Sequence, residues 1–185
     1  IPDEKKLAAV IKSAGGDSLT AYVDAVSARP LLDPLPAAAS IASTSEKAAF
    51  GITEWTLSNG VRVVLKPTTF KQDEILMRAF SPGGTSLADD RDFVAAMTAG
   101  QVVGQGGLGT LSNLDLGKKL AGRVAFVRAD IGEMSEGLGG RVSRQDLETM
   151  FQLIYLTFTQ PRADAEAFKV MTDQLTAALA NRQAM

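Results

Sequence analysis

The stretch "ITEWTLSNGVRVVLKP", residues 52–67, constrains the fold of this chain more than any other. Trp55 and Leu57 alternate with polar partners before Asn59-Gly60. Val61, Val63 and Leu65 alternate after it, with Arg62 facing the other way. Period-two alternation on both sides of Asn-Gly predicts an antiparallel hairpin closed by a type I′ turn, with positive φ at both Asn59 and Gly60. After the polar break "TTFKQD", the segment "EILMRAFS" predicts a third strand.

Beyond the loop "PGGTSLADD" the pattern becomes helical. "RDFVAAMTAGQVV" predicts a helix over 91–103, with Phe93, Val94, Met97 and Gln101 sharing a face and the glycines of "GQGGLG" (104–109) stopping it. "SNLDLGKKLAG" reads as a short helix capped by Ser112 or Asn113. "RVAFVRADI" alternates as a strand, and "SEGLGGRVS" reads as a glycine-weakened strand. Ser143 and Asp146 form an S-x-x-D capping box ahead of a helix over 144–159. Leu147, Met150, Phe151, Ile154, Tyr155 and Phe158 are its expected buried stripe. A last helix starts near Asp164, with Phe168, Met171, Leu175 and Leu179 inward.

Upstream, residues 3–13 and 18–28 read as short helices, with Leu7, Val10 and Ile11 on one buried face and Tyr22, Val23 and Val26 on another. Pro30, Pro34 and Pro36 exclude a regular helix from 29–50, which reads as a linker lying over a surface. Strands come in blocks rather than in strict alternation with helices. The expected class is therefore α+β, a largely antiparallel sheet with helices packed on one face.

Composition removes much chemistry. The 185 residues carry a formal net charge of −2, which gives no electrostatic case for nucleic acid. No apolar run reaches the ~18 residues of a membrane span. Cysteine is absent, which excludes disulfides and thiolate chemistry. Histidine is absent too, which excludes a Ser-His-Asp triad within the chain. "GQGGLG" follows a helix and lacks a following Lys-Ser/Thr, so it is a helix stop rather than a phosphate loop. "GLGG" (137–140) reads as a close backbone approach. Asp89, Asp90 and Asp92 lack the spacing of a calcium loop and read as helix N-terminal acids. Asp146 and Glu148, two apart, do not face each other and read as a solvated face. Met77, Met97, Met134, Met150 and Met171 read as core filler. Ser81 and Ser86 have no histidine to activate them. The residues thus supply no catalytic, metal-binding or cofactor-binding set, and no cofactor is expected.

Taken in order, "GITEWTLSNGVRVVLKPTTFKQDEI", "SPGGTSLADD", "VVGQGGLG", "DLGKKLAGRVAFV" and "DLETMFQLIYLTFTQPRADAEAFKVM" resemble the pitrilysin/insulinase family of zinc metallopeptidases, which includes the mitochondrial processing peptidase. The resemblance covers about 51–182 and is greatest to the third of four related domains in long bacterial members. It implies the mitochondrial processing peptidase-like metallohydrolase fold for 51–185. Residues 1–50 would then be the tail of a preceding domain and the linker between two halves. In the family's active domain, the helix after the third strand carries H-x-x-E-H, two zinc ligands and a general base. Here "AMTAG", residues 96–100, aligns with that motif and holds none of them. Asp173, the one mid-helix acid of the later helix, would be a lone ligand, and a catalytic zinc needs three.

The resemblance therefore implies a non-catalytic domain that helps close a peptide chamber, in a full-length protein that is a periplasmic zinc metalloendopeptidase. Its partners would be the other domains of that protein and peptide substrate. The alternative is a stand-alone peptide-binding or assembly module using strand addition. The start without Met and the stop just after a helix are read as an excised fragment. A domain removed from its sisters should expose apolar surface and self-associate weakly. Sedimentation up to millimolar concentration checks this, and a strict monomer throughout would count against it.

Overall fold

In the computed structural model, the described residues are 3–14, Val23 and 30–183. The helix expected over 18–28 lies outside them apart from Val23. Helix α1 (Glu4–Ala14) forms as expected, but Leu7, Val10 and Ile11 are exposed rather than buried. Two three-stranded antiparallel sheets follow. The first has the order β1 (Ile41–Lys47), β2 (Ile52–Leu57), β3 (Arg62–Leu65).

The hairpin is present, with Trp55 opposite Val63 and Thr53 opposite Leu65. Its turn differs from the expected one. Only Gly60 takes positive φ (85°), and Asn59 does not. Gly60 N–H donates to the Leu57 carbonyl (2.9 Å) and Leu57 N–H to the Val61 carbonyl (2.8 Å). The loop is thus the three residues 58–60, with glycine in the left-handed position, the commonest alternative to the two-residue turn. Asn59 accepts from Val61 N–H through its side chain (3.2 Å), so it serves the turn without positive φ.

Residues 41–47, read as linker, form the strand β1 along β2. All seven are exposed, so no hydrophobic alternation marks the strand in the sequence; only its backbone is engaged. The earlier part of the linker does lie over a surface. Leu31 and Leu32 pack on the core cluster of Leu108, Leu153 and Leu156.

The second sheet has the order β4 (Ile75–Pro82), β6 (Ser135–Val142), β5 (Ala125–Ile131). The third strand of the sequence therefore pairs with β6, not with the hairpin. The glycine-rich β6, the weakest strand by pattern, is the central one. A side chain at Gly137 would overlap the Ala79 carbonyl oxygen of β4, so glycine is what lets the two strands meet there. Helices α2 (Phe93–Gly106), α3 (Asn113–Lys119), α4 (Leu147–Thr159) and α5 (Ala165–Gln183) complete the α+β fold. Ser112 caps α3 as expected, accepting from Asp115 N–H at 3.1 Å.

Ser143 caps a short 3₁₀ turn, Arg144–Asp146, that leads into α4, while Asp146 at the N-cap position of α4 makes no side-chain capping bond to it. Ser143 Oγ donates to Asp146 Oδ2 (2.8 Å) and accepts from Asp146 N–H (3.3 Å). The same Oδ2 accepts from Val124 N–H (2.8 Å), while Ser143 N–H donates to the Val124 carbonyl (2.9 Å). Asp146 is buried, not on a solvated face. Its carboxylate ties Val124, at the start of β5, to Ser143, at the turn that leads into α4.

This clamp sets the rotation of α4. Its buried residues are Thr149, Met150, Leu153 and Leu156, whereas Phe151, Tyr155 and Phe158 of the expected stripe face outward. Thr149 is held by Arg123 Nη1, which donates to Thr149 Oγ1 at 2.8 Å. On α5 only Met171 of the expected inward set is buried; Phe168, Leu175 and Leu179 are exposed. Met150 and Met171 fill the core as expected and Met77 is half-buried, but Met97 and Met134 are exposed.

Hydrogen bonds from Val124 and Ser143 hold the Asp146 carboxyl below its ordinary value of 3.8, against the opposing effect of burial. A depressed folded-state pKa gives stability that is present above the unfolded value and lost as pH falls through the folded one. Asp146→Asn should lower the melting temperature at pH 7 and flatten the decline in stability below about pH 4. Thermal denaturation across pH checks both.

Candidate functional site

The helix aligned with the family's zinc motif is α2, and its surroundings show what the segment does instead. Its buried and half-buried residues are Ala96, Thr98–Gly100, Val102, Val103 and Gly106. The expected face is exposed rather than buried: Phe93 and Val94 are open, and Met97 and Gln101 border the cavity beside β5. Small residues point inward because α2 lies directly on β5. A Cβ at Gly100 would stand 3.3 Å from the Ala129 carbonyl oxygen. Ala96 and Ala99 are half-buried on the same helix.

The helix also runs further than expected, through Gly104 to Gly106, before Gly107 (φ 88°) stops it. The "GQGGLG" segment is a joint. Gly109 N–H donates to the Gln160 carbonyl (2.8 Å), and Arg162 N–H to the Gly107 carbonyl (3.3 Å). A side chain at Gly106 would overlap the Arg162 carbonyl oxygen. The glycines thus admit the α4–α5 connection against the end of α2, and the Gly109 amide is spent on the Gln160 carbonyl rather than on an anion.

The other sequence candidates are dispersed. Asp92 occupies the N-cap position of α2 without a side-chain capping bond. Its carboxylate faces Arg91 at 3.3 Å, so the expected side-chain cap is replaced by an exposed ion pair. Ser81 Oγ donates to the Pro82 carbonyl (3.3 Å) and Ser86 Oγ to the Gly83 carbonyl (2.9 Å), both local backbone bonds. Glu148 accepts from Gln152 Nε2 at 2.9 Å. Asp173 is exposed on α5 and pairs with Lys169 at 2.6 Å. Among the described residues, no group of three or more His, Cys, Asp and Glu side chains converges to hold a metal ion.

A cavity of about 720 Å³ opens between α2, α3 and β5, lined by Met97, Gly100, Gln101, Leu116, Leu120 and Val127 among others. The titratable residues along it are Arg128 and Asp130, which alternate with Val127 and Ala129 on β5 and carry their side chains to the exposed face of the sheet. The lining offers apolar contact and amide hydrogen bonds but no proton-transfer pair.

No protein-family profile matches the chain. A curated protein of Arabidopsis thaliana, "Zinc protease PQQL-like", is 30% identical over 109 residues, covering 59% of this chain and 9% of that protein. The crystal structure of the periplasmic protease PqqL from Escherichia coli matches 99% of the chain at a TM-score of 0.74 and 23% identity. The ferredoxin protease FusC, solved in complex with Arabidopsis ferredoxin, matches 98% at a TM-score of 0.73 and 22% identity. The chain spans 20% of each of those two solved chains and 9% of the plant relative. Fold and sequence thus agree with the resemblance to pitrilysin-family peptidase domains. Among the described residues, no helix is long and apolar enough to cross a membrane.

The packing of α2 generates a direct test. Gly100→Leu should lift the helix from β5 and cost about 1–3 kcal/mol, as overpacking does. Chemical denaturation of the variant measures it.

Proposed function

We propose that the chain is a catalytically inactive portion of a zinc metallopeptidase of the pitrilysin/insulinase family, from the half that closes over a zinc-bearing domain. Residues 51–185 are its metallopeptidase-like domain, to which β1 adds a strand; the segment before β1 is the tail and connector from the preceding domain. The domain shapes a peptide chamber and contacts substrate, and the whole protein works in the periplasm, as its relative PqqL does by description.

The observation that carries this reading is the state of α2. It follows β4, where the family's zinc helix stands, and Ala96, Met97, Thr98, Ala99 and Gly100 occupy the aligned motif. Thr98 Oγ1 donates to the Val94 carbonyl of its own helix at 2.8 Å. At Gly100 the helix backbone comes close to β5, where an added Cβ would stand 3.3 Å from the Ala129 carbonyl oxygen. The cavity beside it is lined by apolar and amide groups, with no metal-ligating set among the described residues. Such a helix keeps the architecture of a peptidase domain and supports a neighbour that has the chemistry.

The purified chain should carry no stoichiometric zinc by elemental analysis and show no metal-dependent cleavage of peptides. Stoichiometric zinc, or turnover abolished by a chelator and restored by metal, would sink the proposal.

A further inference from the structure

The outer face of the second sheet is built as a trough. Side chains at alternate positions of β4 and β5 stand on either side of β6, whose outward positions include Gly137 and Gly139. The register aligns three rows across the strands. Phe80, Gly137 and Asp130 form the first; Arg78, Gly139 and Arg128 the second; Leu76, Arg141 and Phe126 the third. The β4 wall is apolar at both ends and cationic in the middle, and the β5 wall runs from Asp130 through Arg128 to Phe126. Phe80 is 74% exposed, Leu76 73% and Phe126 59%, which is unusual for large apolar side chains standing together. A Cβ at Gly139 would meet nothing within 4 Å, so the floor is open at the cationic row. The recess has a volume of about 430 Å³.

The charges there are weakly satisfied. Arg128 faces Asp130 at 3.9 Å and Arg141 faces Glu74 at 3.8 Å, long separations between exposed groups. Arg78 makes no ion pair among the described residues. A chain of net charge −2 thus concentrates three arginines on one sheet face. Rows two residues apart along a strand are about 7 Å apart, and the walls, two strand spacings apart, stand about 10 Å from each other. Both spacings match an extended peptide lying along β6.

We infer that this trough binds an extended peptide with apolar, acidic and apolar side chains at three alternate positions. The acidic group sits between Arg78 and Arg128 over Gly139, and the apolar groups lie against Phe80 at one end and against Leu76 and Phe126 at the other. The inference rests on the reading that this domain contacts peptide substrate, and it names the segment recognised. Charge complementarity selects the carboxylate, because an acceptor-only group is what exposed guanidinium donors lack.

Fluorescence anisotropy with the 185-residue chain tests it. The probe is a short labelled peptide with leucine, glutamate and leucine at alternate positions, separated by serines, compared with its glutamine twin. The glutamate peptide should bind, and binding should weaken about tenfold in the glutamine twin and in Arg78→Ala, the usual cost of losing a charged hydrogen bond. Gly139→Leu should plug the floor and abolish binding while circular dichroism stays unchanged, since the added side chain enters open space. Equal binding of the twin, binding that survives Gly139→Leu, or no binding by the folded chain would overturn the inference.

The zinc and turnover assays report on the chamber reading separately, so either can fail without the other. A permanent cover is a further outcome. The chain has no cysteine, so Phe80→Cys gives a unique thiol within it. Slow labelling of that thiol in a longer polypeptide, with no peptide added, would make the trough a domain interface and overturn the peptide site.

Discussion

One backbone amide organises the helical half of this molecule. Val124 leads into β5, and both its polar groups are taken by the segment that opens α4, its N–H by the Asp146 carboxylate and its carbonyl by Ser143 N–H. The ladder between β5 and β6 reaches Val142, which is wholly buried, and the clamp begins at the next residue. Sheet and helix are therefore joined by a continuous set of satisfied groups that runs from the half-buried Val124 N–H to buried Ser143 and Asp146. With its entry fixed, α4 has no freedom to choose which face it buries. Leu153 and Leu156 meet Leu108, and Leu31 and Leu32 close over them.

The second constraint is how closely α2 lies on β5. Gly100 lets the helix approach the strand at Ala129, and Gly106 at its end admits the α4–α5 connection at Arg162. Chemical blankness and close packing here are one property. A side chain at Gly100 could not keep this contact without displacing the helix from Ala129.

Much of the element order was legible because local physics determines it. Asn59-Gly60 located the hairpin, Ser112 located the start of α3, and Ser143 with Asp146 located the entry of α4. Three things were illegible for identifiable reasons. β1 is exposed on both faces, so no periodicity betrays it. α4 is apolar on two sides, so the period of 3.6 could not say which side turns inward. The turn at Gly60 needs one left-handed residue rather than two, and the sequence Asn-Gly serves either. The reading that no catalytic set is present rests on residue types alone, whereas the trough on the outer sheet face could not be read that way. It depends on which strands neighbour β6, and the β4–β6 pairing joins segments some sixty residues apart.

The sequence by itself determined the repertoire: no histidine, no cysteine, an antiparallel hairpin, glycine-rich joints, and family motifs in family order. Those follow from side-chain chemistry and from backbone preferences over a few residues, which act without knowledge of the rest of the chain. Only the tertiary structure decided that Asp146 is a buried clamp, that α2 turns its small side inward and its phenylalanine outward, and that Arg78 and Arg128 flank an open glycine floor. Each of those depends on a partner far away in sequence, and burial, register and charge are properties of the pair rather than of either residue.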